Sequence, residues 1–383
     1  MSIDNHNINK MKQIQFKCSE YNMKELRKQI CFLSEEIIDI NIDDEICSIY
    51  ISDTCNEEYL MKKIEILLDK NINLNSLEVD SWGYNKKYFN LDKLESIKNY
   101  GEGLIQLNSN ALFLFEFFIK QLDKILECFD IKIVKKRYPV LLPINVLEKT
   151  GYLHNSPEYI IYCSNVEENL EKIKMVENKI KQKCLGKELK EPLFTLSPSA
   201  CFHTYMDLQN ETICENSVYT FVQNVFRNEG RLNYNEFGRM RDYHVKEIVF
   251  IGDEEFVKDM RLAIMNKIKE FIISLNLKGK LVIATDPFIV PKMNRYKKIQ
   301  ILEKTKYEIR LNYSDNEDIA IASFNLHGQA FCEPFNIKKN NNMNTVSGCV
   351  GIGVERLIMS FLSQFGENVK NWPQIVKEEY YAK

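Results

Sequence analysis

The chain has 383 residues, 45% hydrophobic and 27% charged, with 51 Lys+Arg against 54 Asp+Glu and a formal net charge of −3. That length allows two or three domains and a sizeable buried core. The lack of a basic excess argues against a protein that lives on phosphate backbones, and no stretch reaches the roughly 18 apolar residues of a membrane span.

The first ten residues, MSIDNHNINK, hold no apolar signal region, and the eleven cysteines fall at irregular intervals without a CxxC pair. Both features point to reduced thiols in a cytoplasmic protein. Residues 13–17 (QIQFK) and 46–51 (ICSIYI) read as strands, while 22–33 and 57–70 carry helical apolar spacing. We expect a small acidic α/β domain over 1–95, where 12 Lys+Arg stand against 18 Asp+Glu for a net −6, a poor grip for RNA. The polar stretch 83–100 marks the boundary to a second domain, 96–383.

From residue 108 a long apolar helix is expected, NSNALFLFEFFIKQLDKILECF, with Asn108 or Ser109 as its cap. A strand follows and runs to Pro139 and Pro143, whose missing N–H groups end it or place it at an edge. The spacing predicts another helix over 164–185. Ser164 and Glu167 form a capping box, Val166, Leu170, Ile173, Val176 and Ile180 form one stripe, and Gly186 follows the end. That stripe either packs on the core or docks a partner. After residue 190 strands are expected at 218–227, 244–251, 281–285, 306–312 and 318–324, with helices at 254–274 and 355–365. Clustered strands with flanking helices argue for an α+β fold on a largely antiparallel sheet.

Two segments carry chemistry. Within 217–252, Arg227 and Glu229 alternate on one strand face, as do Arg239 and Arg241. Converging guanidiniums inside a sheet require an anion, either a polyphosphate or an internal carboxylate network. Within 347–365, Gly351 and Gly353 permit close backbone approach at a helix start, and Glu355 and Arg356 follow at once. Alone, that is a helix start with a surface ion pair.

Together, FRxE on a strand–loop–strand and GxGxERL far downstream resemble motifs 2 and 3 of class II aminoacyl-tRNA synthetases. Residues 110–143 are similar to motif 1, in the right order. TLSPSACFHTY, FGRMRDYHVKEIVFIG, ATDPF, IASFNLHGQAF and SGCVGIGVERL narrow the resemblance to the zinc-dependent branch of seryl-tRNA-synthetase-like proteins, over roughly residues 100–370. That branch holds the methanogen-type seryl-tRNA synthetases and the amino acid:[carrier protein] ligases, and GYLHNSPEYIIYCSN looks like the ligases' segment after motif 1.

The resemblance implies a class II antiparallel sheet flanked by helices. It implies zinc ligands at Cys201, Glu247 and Cys349, with the open position taking the substrate's α-amino group. Spacing alone would make these scattered residues buried thiols and a strand carboxylate. It implies ATP with Mg²⁺: Arg227 at the α-phosphate and the substrate carboxylate, Glu229 at the adenine amino group, and Arg241 at the terminal phosphates. Tyr243 stacks on adenine, Arg356 covers its other face and reaches the γ-phosphate, and Glu355 belongs to the same ATP site. Ser323 and Asn325, with Cys201, line the amino acid site, and His327 matches a histidine nearby or is structural. Phe202, His203 and Thr204 stand where the ligases usually have prolines, which alters the expected pocket shape.

Methanogen-type synthetases carry a larger N-terminal tRNA-binding domain, so the small acidic one here turns the expectation to a carrier protein. The expected function is ATP-dependent formation of a small aminoacyl-adenylate and transfer to the phosphopantetheine thiol of that carrier, with tRNA unlikely as partner. A homodimer through motif 1 is expected. One alternative is a divergent zinc-dependent seryl-tRNA synthetase charging tRNA. A second is a non-catalytic paralogue, which would be expected to lose Arg227, Glu229 or Arg356.

Overall fold

A computed structural model describes residues 11–18, 23–43, 45–70, 76–84, 87–286, 294–340 and 344–382. The opening decapeptide and the last two residues of ATDPF therefore lie outside the described residues. No described helix is long and apolar enough to cross a membrane.

The N-terminal part is a β-α-β-β-α unit: β1 (Lys12–Lys17), α1 (Met23–Ile30), β2 (Ile37–Asp43), β3 (Ile46–Ile51) and α2 (Glu57–Lys70). Its antiparallel sheet has the order β1-β3-β2. Leu26 and Ile30 of α1 and Leu60, Ile64 and Leu67 of α2 bury against Ile14, Ile40, Ile49 and Ile51 of the strands. These positions follow the 3.6 and 2 periods that made the elements legible. Leu232, from far along the chain, completes this small core.

Next, β4 (Leu77–Trp82) joins the main sheet as an edge strand. That sheet also holds β5 (Ile133–Lys135), β6 (Ser217–Phe226), β7 (Asp242–Gly252), β8 (Gly279–Ile283), β9 (Lys306–Asn312), β10 (Asp318–Gly328) and β11 (Val346–Gly353). The order is β4-β8-β9-β10-β11-β7-β6-β5. Every pair is antiparallel except β5 on β6. The α+β fold expected from the sequence is thus observed.

One face of the sheet packs on α3 (Ser109–Glu127), α6 (Glu254–Ser274) and α8 (Val354–Phe365), with Val218, Ile248, Phe250, Phe324, Val350 and Ile352 pointing into that core. All six are even-numbered, as a period of two requires. The odd-numbered residues of β7 and β11, with Ser323 and Asn325 of β10, turn to the opposite face, which is left partly open. There α5 (Phe202–Asp207) and a small sheet of Leu141–Pro143, Tyr162–Cys163 and Phe194–Leu196 form a second cluster.

The helix expected over 164–185 is shorter. It is α4 (Leu170–Lys181), capped by Asn169, whose side-chain oxygen accepts from the amides of Glu171 and Lys172. Val166 instead pairs with Leu189 in an isolated bridge. Leu170, Ile173 and Ile180 are exposed, so the stripe does not pack on the core. The periodic pattern was real, but the helix buries none of its residues. The remaining labelled helix, α7 (Asn294–Leu302), lies beside α1.

Candidate active site

Strand register decides which side chains share the open face. Glu247 on β7 lies opposite Gly351 on β11, and Val249 opposite Cys349. On the other side of β11, Cys349 faces Asn325 and Gly351 faces Ser323 on β10. A cavity of about 1250 Å³ opens over this face. Its walls include Cys201, Arg227, Glu229, Tyr243, Glu247, Ser323, Asn325, Cys349 and Arg356. Nine site residues drawn from positions 201 to 356 therefore meet in one place.

Cys201, His327 and Cys349 gather at one end, with their candidate ligand atoms all within 4.8 Å of one another. His327 Nε2 lies 3.3 Å from the Cys349 sulfur, the Asn325 amide nitrogen 3.6 Å from it, and the Ser199 hydroxyl 3.4 Å from the Cys201 sulfur. Glu247 is 4% exposed beside them and accepts a hydrogen bond from Cys349. A Cβ on Gly351 would lie 3.0 Å from the Glu247 carboxylate and press it aside by a few tenths of an ångström. The hydrogen bond from Cys349 and burial act oppositely on Cys201, and the net effect lowers its pKa. The same hydrogen bond and burial raise Cys349, and burial pushes Glu247 well above the carboxylate range. Burial also lowers His327 to about 4, so its ring is neutral.

Two thiols, a carboxyl group and a neutral imidazole buried together cannot all ionise by themselves. A bound cation reverses that order and makes the thiolates the stable form. The donor set thus fits a metal ion. Of the expected triad, Cys201 and Cys349 belong to this group and Glu247 lies beside it, while His327 stands among them.

The loop between β6 and β7 builds the other end. Arg227 Nε donates to the Pro198 carbonyl at 2.9 Å, which fixes the guanidinium and leaves its outer nitrogens toward the cavity. The Tyr234 hydroxyl accepts from the Glu229 amide at 3.0 Å and donates to the Arg227 carbonyl at 3.1 Å. Burial alone would raise the Glu229 carboxyl, but Arg239, Arg356 and Arg227 hold it below its usual range. From α8, Arg356 donates through Nε to the Gly238 carbonyl at 2.9 Å and lies over the Tyr243 ring at 5.5 Å, a cation–π arrangement. Gly238 has φ +66°, and a Cβ there would meet Ile319 at 2.4 Å. Glycine is therefore required for this close turn.

Two expected residues lie outside this cavity. Arg241 reaches Glu102 instead, at 3.8 Å, and covers the Tyr234 ring at 4.6 Å. Glu355 accepts from the His244 amide at 2.8 Å and contacts its Nδ1 at 2.6 Å. Burial would lower His244, but the Glu355 hydrogen bond raises it overall. Arg239 lines the cavity and pairs with Glu229 at 3.3 Å. It sits two residues before Arg241 in the same alternation, so the sequence placed both on one face without saying which one turns inward. A chain of paired charges forms another wall: Lys306 with Asp286 at 2.6 Å, and Arg310 with Glu308 at 2.8 Å. Sequence gave no signal for it.

No family model matches the chain. It is 28% identical over 285 residues to the type-2 serine–tRNA ligase of Methanothermobacter thermautotrophicus, which covers 69% of this chain and 53% of that protein. The chain thus spans about half the length of the curated relatives it matches. Among solved structures it resembles M. kandleri SerRS in complex with A. aeolicus tRNASec, with TM-score 0.69 and 19% identity over 97% of this chain and 78% of that one. It also resembles seryl-tRNA synthetase from Pyrococcus horikoshii complexed with ATP, with TM-score 0.57 and 15% identity over 84% and 77%.

These likenesses overturn the expected acceptor. The relatives are named as tRNA ligases and one structural neighbour is solved with tRNA, so neither the carrier protein nor the exclusion of tRNA stands. Net charge over a segment was the wrong guide. Activation motifs are common to enzymes with different acceptors, and −6 spread over 95 residues does not describe the surface that meets one. The chain has the fold of the class II aminoacyl-tRNA synthetases, and its sequence is similar to the type-2 seryl branch of them.

Proposed function

We propose that the chain joins a small amino acid of the serine type to ATP and passes the aminoacyl group to tRNA. The observation that carries this reading is the meeting of Arg227, Glu229, Tyr243 and Arg356 with the thiol–carboxylate cluster in one cavity. The names of the relatives support serine and tRNA.

In this reading Cys201, Glu247 and Cys349 hold Zn²⁺, with His327 beside them, and the metal supplies a Lewis-acid site for an unprotonated α-amino group. Ser323 and Asn325 border that position and select a small polar side chain. Arg227 lies between the two ends of the cavity. It orients the substrate carboxylate oxygen toward the α-phosphorus of ATP and neutralises charge as pyrophosphate leaves. Glu229 accepts from the base, and Tyr243 with Arg356 grips its faces. A hydroxyl of the tRNA then attacks the acyl carbon, and AMP departs. Mg²⁺ accompanies the triphosphate. A homodimer belongs to this reading, supported by the exposed apolar Leu141, Tyr162, Leu193 and Phe194 around the small sheet.

ATP–pyrophosphate exchange across the amino acids, followed by charging of tRNA, tests the proposal. Exchange should be strongest with serine, and labelled tRNA should form. Absence of exchange with every amino acid would remove the activation step, while exchange without charged tRNA would remove the acceptor. Light scattering should give twice the 45.1 kDa chain mass; a monomer contradicts the dimer.

A further inference from the structure

The small N-terminal unit is seated on the synthetase cavity. Its helix α1 borders the nucleotide end, where Arg27 and Lys28 join the lining. The seat is made of specific contacts. Arg27 pairs with Glu236 at 3.1 Å, and buried Lys297 of α7 pairs with Glu25. Arg231, in the β6–β7 loop, donates to the carbonyls of Glu35, at 2.7 Å, and Ile37. Phe32 meets the ring of Tyr159 edge-on at 6.5 Å.

Lys28 differs from its neighbours. It is half-buried, and among the described residues it makes no hydrogen bond or ion pair. The carboxylates that act on it are already engaged: Glu229 with Arg239 and Glu236 with Arg27. Burial, together with Arg239 and Arg310, lowers its ammonium to about 7, against the opposing pull of Glu229 and Glu236. An unpaired cation beside two guanidiniums is unfavourable unless an anion arrives. In the cavity lining, beside Arg239 and Arg310, such an ammonium can bind a phosphate group as a point charge.

We infer that Lys28 is a ligand of the terminal phosphates of ATP, and of pyrophosphate after cleavage, lent to the synthetase cavity by the N-terminal unit. This deepens the activation reading and rests on it. The unit then completes the nucleotide site. Its docking tightens when a triphosphate is present and slackens when only AMP remains.

Calorimetric titration of the full chain with Mg-ATP, AMP and inorganic pyrophosphate separates the cases. Lys28→Ala should weaken ATP and pyrophosphate by about tenfold, the size of one charge-assisted hydrogen bond, and leave AMP at the wild-type value. Lys28→Arg should recover most of the loss. Unchanged ATP affinity, or equal weakening of ATP and AMP, overturns the inference and makes Lys28 a packing residue. A wild-type chain that binds no ATP would instead sink the activation reading itself.

Discussion

At the thiol end of the cavity, Glu247, Asn325 and Cys349 stand on adjacent strands, locked by the register of β7, β11 and β10, and Cys201 is held by the buried start of α5. At the end proposed to take the nucleotide, the groups other than Tyr243 of β7 come from a loop, the first turn of α8 and a helix of a separate unit, joined by a few polar contacts. The first arrangement cannot shift without slipping a strand, and a one-residue slip would turn every donor to the wrong face. The second can loosen contact by contact. The difference fits their tasks in the proposed reaction: a small amino acid must be chosen with one geometry, whereas a nucleotide must enter whole and leave in two pieces.

If the thiol end is rigid and indivisible, Cys201→Ser or Cys349→Ser should take metal content from one per chain to none and abolish pyrophosphate exchange, as read by elemental analysis and by the exchange assay. Retained metal would show that the cluster is only a packed set of thiols. Next in size, Arg227→Ala should lower exchange by about 10²–10³-fold while circular dichroism stays native; undiminished exchange would take Arg227 out of the reaction.

A third test reaches the thiol end from behind. Lys246 is 3% exposed and pairs with Asp123 of α3 at 2.5 Å, on the face of β7 opposite Glu247. Asp123→Ala leaves that ammonium buried and alone, and should cost about 3–5 kcal/mol in denaturant unfolding. Burial would raise the Asp123 carboxyl, but Lys246 and Lys135 hold it below its usual value. Its contribution is therefore present above about pH 4 and lost as pH falls through the lowered folded-state pKa. Wild-type stability should fall there more steeply than that of Asp123→Ala, and parallel curves would deny the linkage.

Smaller effects are expected from the periphery. His327→Ala should keep the metal but weaken its retention by about 10–100-fold; complete loss would make His327 a direct ligand. Arg231→Ala should weaken ATP by about two- to threefold, since only exposed or half-buried contacts are lost, and speed hydrogen exchange in α1. No change in α1 exchange would mean that the unit is seated by its apolar contacts alone.

Much of the fold was legible because its signals are local. The 3.6 and 2 periods announced α1, α2, α3, α6, α8 and most strands of the main sheet, and the resemblance carried by FRxE and GxGxERL gave their arrangement. The clustered cysteines show the limit, since spacing alone reads Cys201 and Cys349 as ordinary buried thiols and says nothing of their meeting. Asn169 took the cap that Ser164 promised, because a capping box says nothing about whether the turn after it finds a surface to pack on.

By itself, then, the sequence determined the periodic elements, the chemistry available at each position and, through its motifs, the class of fold. Tertiary structure alone decided the rest. It set Cys349 beside Asn325 and Glu247 through strand register, turned Arg239 inward and Arg241 outward, and brought Lys28 to a cavity built some 200 residues downstream. Periodicity fixes which face of its own element a side chain takes. The partner across that face depends on pairing and docking between distant segments, whose energies are spread over many contacts and written in no single stretch of chain.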